Sequence, residues 1–219
     1  MRFFKLSLAS VLLIAFSSSA FATFIVNGSF EDDPFTANGV FELGLLGNDV
    51  TGWFIPNGNG IYPWGLQNGA FGASTPFGNQ FFVLGLYSTQ VEYSIQQTMN
   101  GLVVGNTYDV EFSIASERAC CAQVTLSYLD GSSTAAQIFT ATNSGDFWTD
   151  WSTLQTSFVA TSSSVTLQFQ SFFGQTSGFD LGLDNVSVVD AASVPEPGTL
   201  ALLGIGLFGL ALARRRQKV

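Results

Sequence analysis

Two pairs of acids are spaced for bond-breaking chemistry. Asp109 and Glu111 stand two residues apart, and Asp146 and Asp150 are also close in sequence. On a strand, Asp109 and Glu111 would share a face with Cβ atoms about 6.5–7 Å apart. Paired carboxylates are the equipment of a polysaccharide hydrolase. Both residues, however, belong to an outward-facing polar alternation, where solvated acids are the ordinary outcome. Other catalytic routes are closed: the chain has no histidine, so Ser-His and Cys-His nucleophiles and His-ligated zinc are excluded. Cys120 and Cys121 are adjacent. Their Cα atoms are about 3.8 Å apart across a trans peptide, below the usual disulfide range. A strained vicinal ring, an intermolecular bridge and two thiols on opposite strand faces all stay open. No C-x-x-C and no basic cluster is present to lower a thiol pKa.

Aromatic and amide side chains offer a second chemistry, stacking on sugar faces with neutral hydrogen bonding. Val50 to Val91 spans 42 residues without one charge and holds eight glycines. Within it, Trp53, Tyr62 and Trp64, with Asn57 and Asn59, are the candidate carbohydrate-binding residues. The alternative is that Trp53 and Trp64 close one end of the core, since aromatics carry much core burial. A loop this long inside a compact domain is often functional. Trp148 and Trp151 form a second pair whose spacing does not place both on one strand face, so one is expected buried and one exposed.

Charge narrows the partners. The chain has 219 residues and a net charge of −9, but the basic residues lie at its ends. Between residues 23 and 194 one arginine, Arg118, faces fifteen acids, a formal charge of −14. Such a body is repelled by nucleic acid and by anionic membrane surfaces. Divalent cations and neutral ligands are its natural partners.

The two ends are not part of the fold. Arg2 and Lys5, the apolar run Leu6–Phe16 and the small-x-small site ending at Ala22 read as a signal peptide over residues 1–22. At the other end, Val194-Pro195-Glu196-Pro197-Gly198 precedes an uncharged run from Thr199 to Ala213, then Arg214, Arg215 and Arg216. Those prolines forbid a helix before the run. Fifteen residues make a helix of about 22 Å, short for a permanent anchor, and the basic end would stay cytoplasmic, so the body faces outward. This tail, residues 194–219, resembles the PEP-CTERM sorting signal of Gram-negative bacteria. The resemblance implies an exosortase-type membrane protease-transpeptidase as partner, insertion of the helix in the inner membrane before processing, and cleavage near Pro195-Glu196-Pro197. It also implies a cell-surface or extracellular-matrix location in exopolysaccharide-producing, biofilm-forming bacteria.

The elements that must position these residues are strands. Tyr108, Val110, Phe112 and Ile114 alternate with polar residues, as do Val91, Tyr93 and Ile95, and Val165, Leu167 and Phe169. Val124, Leu126 and Tyr128 lead into Asp130-Gly131, a hairpin signal. A last strand is expected near Leu183 to Val189. No internal segment shows sustained helical periodicity. One all-β domain over residues 23–193, an antiparallel β-sandwich of jelly-roll type, is therefore expected.

Asp184 shares parity with Val186 and Val188, so it would face the core. A carboxylate aimed inward needs a partner, and oxygen ligands at about 2.3–2.6 Å would suit Ca²⁺. Asn27-Gly28-Ser29-Phe30-Glu31 and Leu183-Asp184-Asn185-Val186-Ser187-Val188 resemble galactose-binding-like jelly rolls, which include many carbohydrate-binding modules. Gly52-Trp53, Gln97-Thr98 and Gly105-x-x-Tyr108-x-Val110-x-Phe112 extend the similarity. The resemblance implies that Glu31 and Asp184 hold a structural calcium ion where the termini meet. The alternative is a solvated Glu31-Asp32-Asp33 turn and an Asp184 at a strand end.

Together these readings give an exported, non-enzymatic protein that binds glycan or exopolysaccharide and no nucleic acid. The other readings are a calcium-bridged structural matrix component and a polysaccharide hydrolase.

Overall fold

A computed structural model of the chain describes residues 23–33, 40–42, 50–56, 64–67, 69–85, 93–118, 122–131, 134–141, 147–171 and 180–193. Ala22, Asn57, Asn59, Tyr62, Cys120, Cys121, Asp146, Pro195, Glu196, Pro197 and Arg214 to Arg216 lie outside them. Residues Ala22–Val194 cluster as one unit.

The body is an antiparallel β-sandwich. Its ten strands are β1 (Val40–Glu42), β2 (Trp64–Gln67), β3 (Gln80–Leu84), β4 (Ser94–Asn100), β5 (Thr107–Ser116), β6 (Ala122–Leu129), β7 (Thr134–Ala141), β8 (Ser152–Val159), β9 (Ser164–Ser171) and β10 (Leu181–Asp190). They form a six-stranded sheet, β1-β2-β3-β10-β5-β8, and a four-stranded sheet, β4-β9-β6-β7. The described residues contain no α-helix.

Alternation explains most strands. Val165, Leu167 and Phe169 of β9 face inward and are buried, while Thr166, Gln168 and Gln170 are half-buried on the outer face. β9 pairs with β4 and β6, and that register places Ile95, Phe169 and Leu126 in one row across the inner face. From the other sheet Tyr108, Val110, Phe112 and Ile114 of β5 fill the same core. Each fully buried side chain of this kind contributes roughly 1.5–3 kcal/mol. The Asp130-Gly131 signal is a hairpin: β6 pairs β7 from Leu129–Thr134 onward, and Gly131 takes a φ of 87°. The uncharged stretch from 50 to 91 is not one long loop. It contributes β2 and β3, and β3 is buried on both faces.

That double burial arises from a second, smaller cluster outside the six-stranded sheet. Phe81, Val83 and Ala115 point away from the main core and are covered by Trp148 and, partly, by Trp151. A Cβ on Gly182 would lie 3.0 Å from atoms of both indoles, so a bare backbone lets them lie on the sheet.

Candidate functional site

Two surfaces hold the residues with chemical potential. The first is a clasp between the start and end of the body. Phe24 donates its amide to Val188 O at 2.9 Å, and Val186 donates to Gly28 O at 2.8 Å. A Cβ on Gly28 would sit 1.9 Å from the Val186 carbonyl oxygen, so this crossing admits only glycine. Asn27 and Phe30 flank it in the left-handed region, at φ 51° and 56°. Asparagine tolerates that conformation because its side chain bonds locally. Here Asn27 Nδ2 donates to Asp33 Oδ2 at 3.0 Å and its Oδ1 accepts the Asp32 amide at 3.1 Å. Phe30 is held there by packing, its ring 5.4 Å from Trp53 and 5.5 Å from Phe82.

Glu31 leaves this segment to fasten the loop before β3. Its Oε1 accepts the amides of Asn79 at 2.7 Å and Gln80 at 2.9 Å. Gln80 in turn donates through Nε2 to the carbonyl oxygens of Phe30 and Asp33. Asp184 is fully buried, at 0% exposure. Its Oδ2 accepts the Thr75 hydroxyl at 2.5 Å and its Oδ1 the Asn185 amide at 2.7 Å. Burial pushes its carboxyl up to about 7; the bonds from Thr75 and Asn185 pull it down in part, and the Glu31 charge pushes it further up. Arg118, the basic residue of the body, pairs instead with Glu117 at 3.6 Å.

Asp184 is buried as expected, but not toward the main core: Leu183 pairs with Ile114 on the core face and Asp184 with Ser113 on the other, and a register shift at Asn185, φ 51°, separates it from the parity of Val186 and Val188. Among the described residues no group of three or more His, Cys, Asp or Glu side chains is placed to hold a metal. Glu31, Asp184 and Thr75 present hard oxygen atoms, and among the described residues no basic side chain forms a salt bridge with Asp184. That chemistry fits a Ca²⁺ ion, although Glu31 already spends Oε1 on two amides.

The second surface is the outer face of the four-stranded sheet. No residue of β4, β6, β7 or β9 is charged. Register aligns Gln96, Gln168 and Ser127 in one row and Thr98 and Thr166 in the next. Gln168 Nε2 donates to Gln96 Oε1 at 3.0 Å, and the two threonine hydroxyls lie 2.8 Å apart. Phe54 extends the first row beyond β4. It exchanges both backbone hydrogen bonds with Gln96, at 2.8 and 2.9 Å, and the residue is 42% exposed. A shallow pocket of about 450 Å³ opens here, lined by Thr51, Phe54, Gln96 and Thr98 among others.

Phe54, which is not among the sequence candidates, is the exposed aromatic here, and of the two readings offered for Trp53 the core one holds. Trp53 is 2% exposed, with its ring 6.3 Å from Phe169 and its Nε1 donating to Asn27 O at 3.0 Å. It is a core residue with no face free for a sugar. Adjacent residues on an extended backbone point to opposite sides, so Trp53 inward implies Phe54 outward. Trp64 begins β2, opposite Glu42 and Val83. Of the second tryptophan pair, Trp148 is buried and Trp151 is half-buried.

The acid pair lies elsewhere. Asp109 and Glu111 share the outer face of the six-stranded sheet, in a groove of about 530 Å³ lined also by Gln155, Ser157, Ser187 and Val189. Glu111 is held by Gln155 Nε2 at 2.8 Å and Asn185 Nδ2 at 3.4 Å. Asp150 is exposed on the segment between Trp148 and β8.

Comparison with known proteins adds the following. The MgGH51 α-L-arabinofuranosidase in its arabinose-bound form is similar with a TM-score of 0.53 and 11% identity, over 77% of this chain and 26% of that one. That likeness shows the sandwich fold alone. A family 16 carbohydrate-binding module is similar at 0.47 and 19%, covering 76% of this chain and 99% of its own. The module TmCBM61, solved with β-1,4-galactotriose, is similar at 0.45 and 14%, covering 77% and 99%. No curated protein matches the chain. Residues 193–216 match the PEP-CTERM protein-sorting motif, which marks the protein for export and exosortase-dependent placement at the surface or outside the cell. Residues 23–187, the whole body from the clasp to β10, match the family described as "Protein of unknown function (DUF642)", and the chain belongs to that family.

Proposed function

We propose that the exported body is a non-catalytic module that binds neutral polysaccharide across the outer face of its four-stranded sheet. The observation that carries this reading is the sheet face itself: strands without a charge in a body of formal charge −14, rimmed by an exposed ring. Glutamine and threonine side chains offer donors and acceptors to sugar hydroxyls without the desolvation cost of an ion. Phe54 offers an apolar face for a pyranose ring. The open row runs from Phe54 across Gln96 of β4 to Gln168 of β9, about 10 Å at the usual spacing. Uronate-rich chains would be repelled by the surrounding acids. Two of the similar structures are carbohydrate-binding modules by name, in keeping with this direction.

Affinity electrophoresis against a set of neutral and acidic polysaccharides tests it. The body should be retarded by at least one neutral polymer, and Phe54→Ala should weaken that binding roughly three- to tenfold, the worth of one aromatic contact. Unchanged retardation in Phe54→Ala would remove this face from consideration.

We further propose that Ca²⁺ at Glu31, Asp184 and Thr75 serves structure only. It would neutralise the buried carboxylate and fasten the N-terminal segment to β10. The setting in which the module works is the polysaccharide matrix outside the cell, reached after exosortase-type cleavage near Pro195-Glu196-Pro197.

A further inference from the structure

The turn between β4 and β5 carries two consecutive exposed valines. Val103 and Val104 are 56% and 60% exposed at positions where turns ordinarily carry polar residues. The turn is firmly held. Asn106 donates its amide to Val103 O at 3.1 Å, Val103 donates to the Tyr108 hydroxyl at 2.8 Å, and Gly105 donates to Ala160 O at 2.8 Å. Val159, 56% exposed, ends β8 opposite Thr107 at the same rim. These valines are a fixed apolar projection, built where no core needs them.

Their place along the chain gives the projection a partner. Asn106 Nδ2 donates to Asp190 Oδ2 at 2.9 Å, so the valine turn adjoins the point where β10 leaves the sandwich. Five residues then separate Ser193 from Thr199, where the uncharged run begins, a span of six Cα–Cα steps. An extended chain of that length reaches about 20 Å. The far end of the sandwich is farther than that: β5 runs ten residues from Thr107 to Ser116, about 33 Å. With the run from 199 to 213 in a bilayer, the chain's reach keeps the valine end within about 20 Å of the lipid.

We propose that, before its tail is removed, the body rests on the lipid surface through Val103 and Val104, with Val159 beside them. This rests on the reading of residues 199–213 as membrane-inserted. Valines entering the interfacial region would gain hydrophobic contact without requiring the basic residues that the body lacks. The contact is made at an effective concentration set by the short tether, and it is lost when the tail is cut. It would hold the Pro195-Glu196-Pro197 segment at membrane level for cleavage.

The test uses the tail-bearing chain in vesicles of phosphatidylcholine and phosphatidylethanolamine, with and without brominated acyl chains. In Val104→Trp, brominated lipid should quench emission severalfold more than in the unsubstituted chain. Phe147→Trp should show no added quenching, because Phe147 sits at the far end, its amide donating to Glu117 O. Val103→Ser/Val104→Ser should leave the melting temperature unchanged while slowing tail removal in cells severalfold. A chain that sediments with vesicles but shows no added quenching at position 104 overturns the lipid contact alone. A chain that does not sediment with vesicles overturns the inserted-tail reading and the contact with it. Loss of a concentration-dependent dimer in the double variant, without quenching at 104, would assign the turn to self-association and overturn it too.

Discussion

Asp184 makes the stability of the body depend on pH and on calcium in a way that can be worked out in advance. Its carboxyl is fully buried and titrates near 7 in the folded chain against 3.8 as a free group. The folded state therefore binds this proton more tightly than the unfolded state. The contribution is fully present below about pH 4 and is lost as pH rises through 7. At about 1.4 kcal/mol per pH unit, the gap is worth about 4 kcal/mol. For a domain of this size that is on the order of 10 °C in Tm. A cation favours the ionised form, so saturating Ca²⁺ should flatten the loss above pH 6. Calorimetry of the processed body from pH 4 to 8, in chelator and in millimolar Ca²⁺, measures both effects. The general repulsion among the other acids contributes to the same trend, so the informative quantity is the difference from Asp184→Asn. That variant keeps acceptor and shape but cannot ionise. It should lose most of the pH slope and all of the calcium response. Superimposable pH profiles for the two proteins in chelator would refute the argument for the buried carboxyl. A calcium response retained in Asp184→Asn would refute the ion at the clasp.

Gly28→Ala should destabilise the body by several kcal/mol, because the new methyl would meet the Val186 carbonyl at 1.9 Å; chemical denaturation would measure it, and a loss below 1 kcal/mol would show that the crossing can open. Trp53→Ala should cost about 3–5 kcal/mol in the same assay, the penalty for emptying a large aromatic site. Gln80→Ala should release the Phe30 and Asp33 carbonyls and cost about 1–3 kcal/mol, detectable as earlier proteolysis of the 27–33 segment.

Much of the sandwich could be read from alternation, and the exceptions have physical causes. β9 and the first half of β5 follow the period of two because one face lies on the core and the other toward polar surroundings, whereas the second half of β5 and the start of β10 are buried on both faces. β3 reads instead as a plain apolar run, because Trp148 covers its outer side, and a run without alternation gives no face. β8 stays hidden because its inward residues are only half-buried at the sheet edge. Gln97 breaks the pattern of β4: it points inward yet is polar, because its amide pairs with both backbone groups of Val26, at 2.7 and 2.9 Å. The parity of Asp184 against Val186 and Val188 aims it at the main core, but the bulge at Asn185 breaks that parity and buries it on the other, covered face of the sheet. Glu31 was legible as a partner in the motif but not as the anchor of the Asn79–Gln80 amides, since that pairing spans 48 residues and leaves no local trace. That Phe54 and not Trp53 is the exposed aromatic depends on which way one extended residue faces, which composition cannot encode.

The position of β10 has a mechanical consequence. The strand that leads to the carboxyl-terminal tail is interior to its sheet, flanked by β5 along its length, by β3 at Leu181–Leu183, and by the segment from Phe24 to Gly28 beyond that. If transpeptidation tethers the body through this end, any drag on a captured polymer is carried along β10. The load then falls in shear on hydrogen bonds at both of its margins together, and cannot peel them one at a time from a free border.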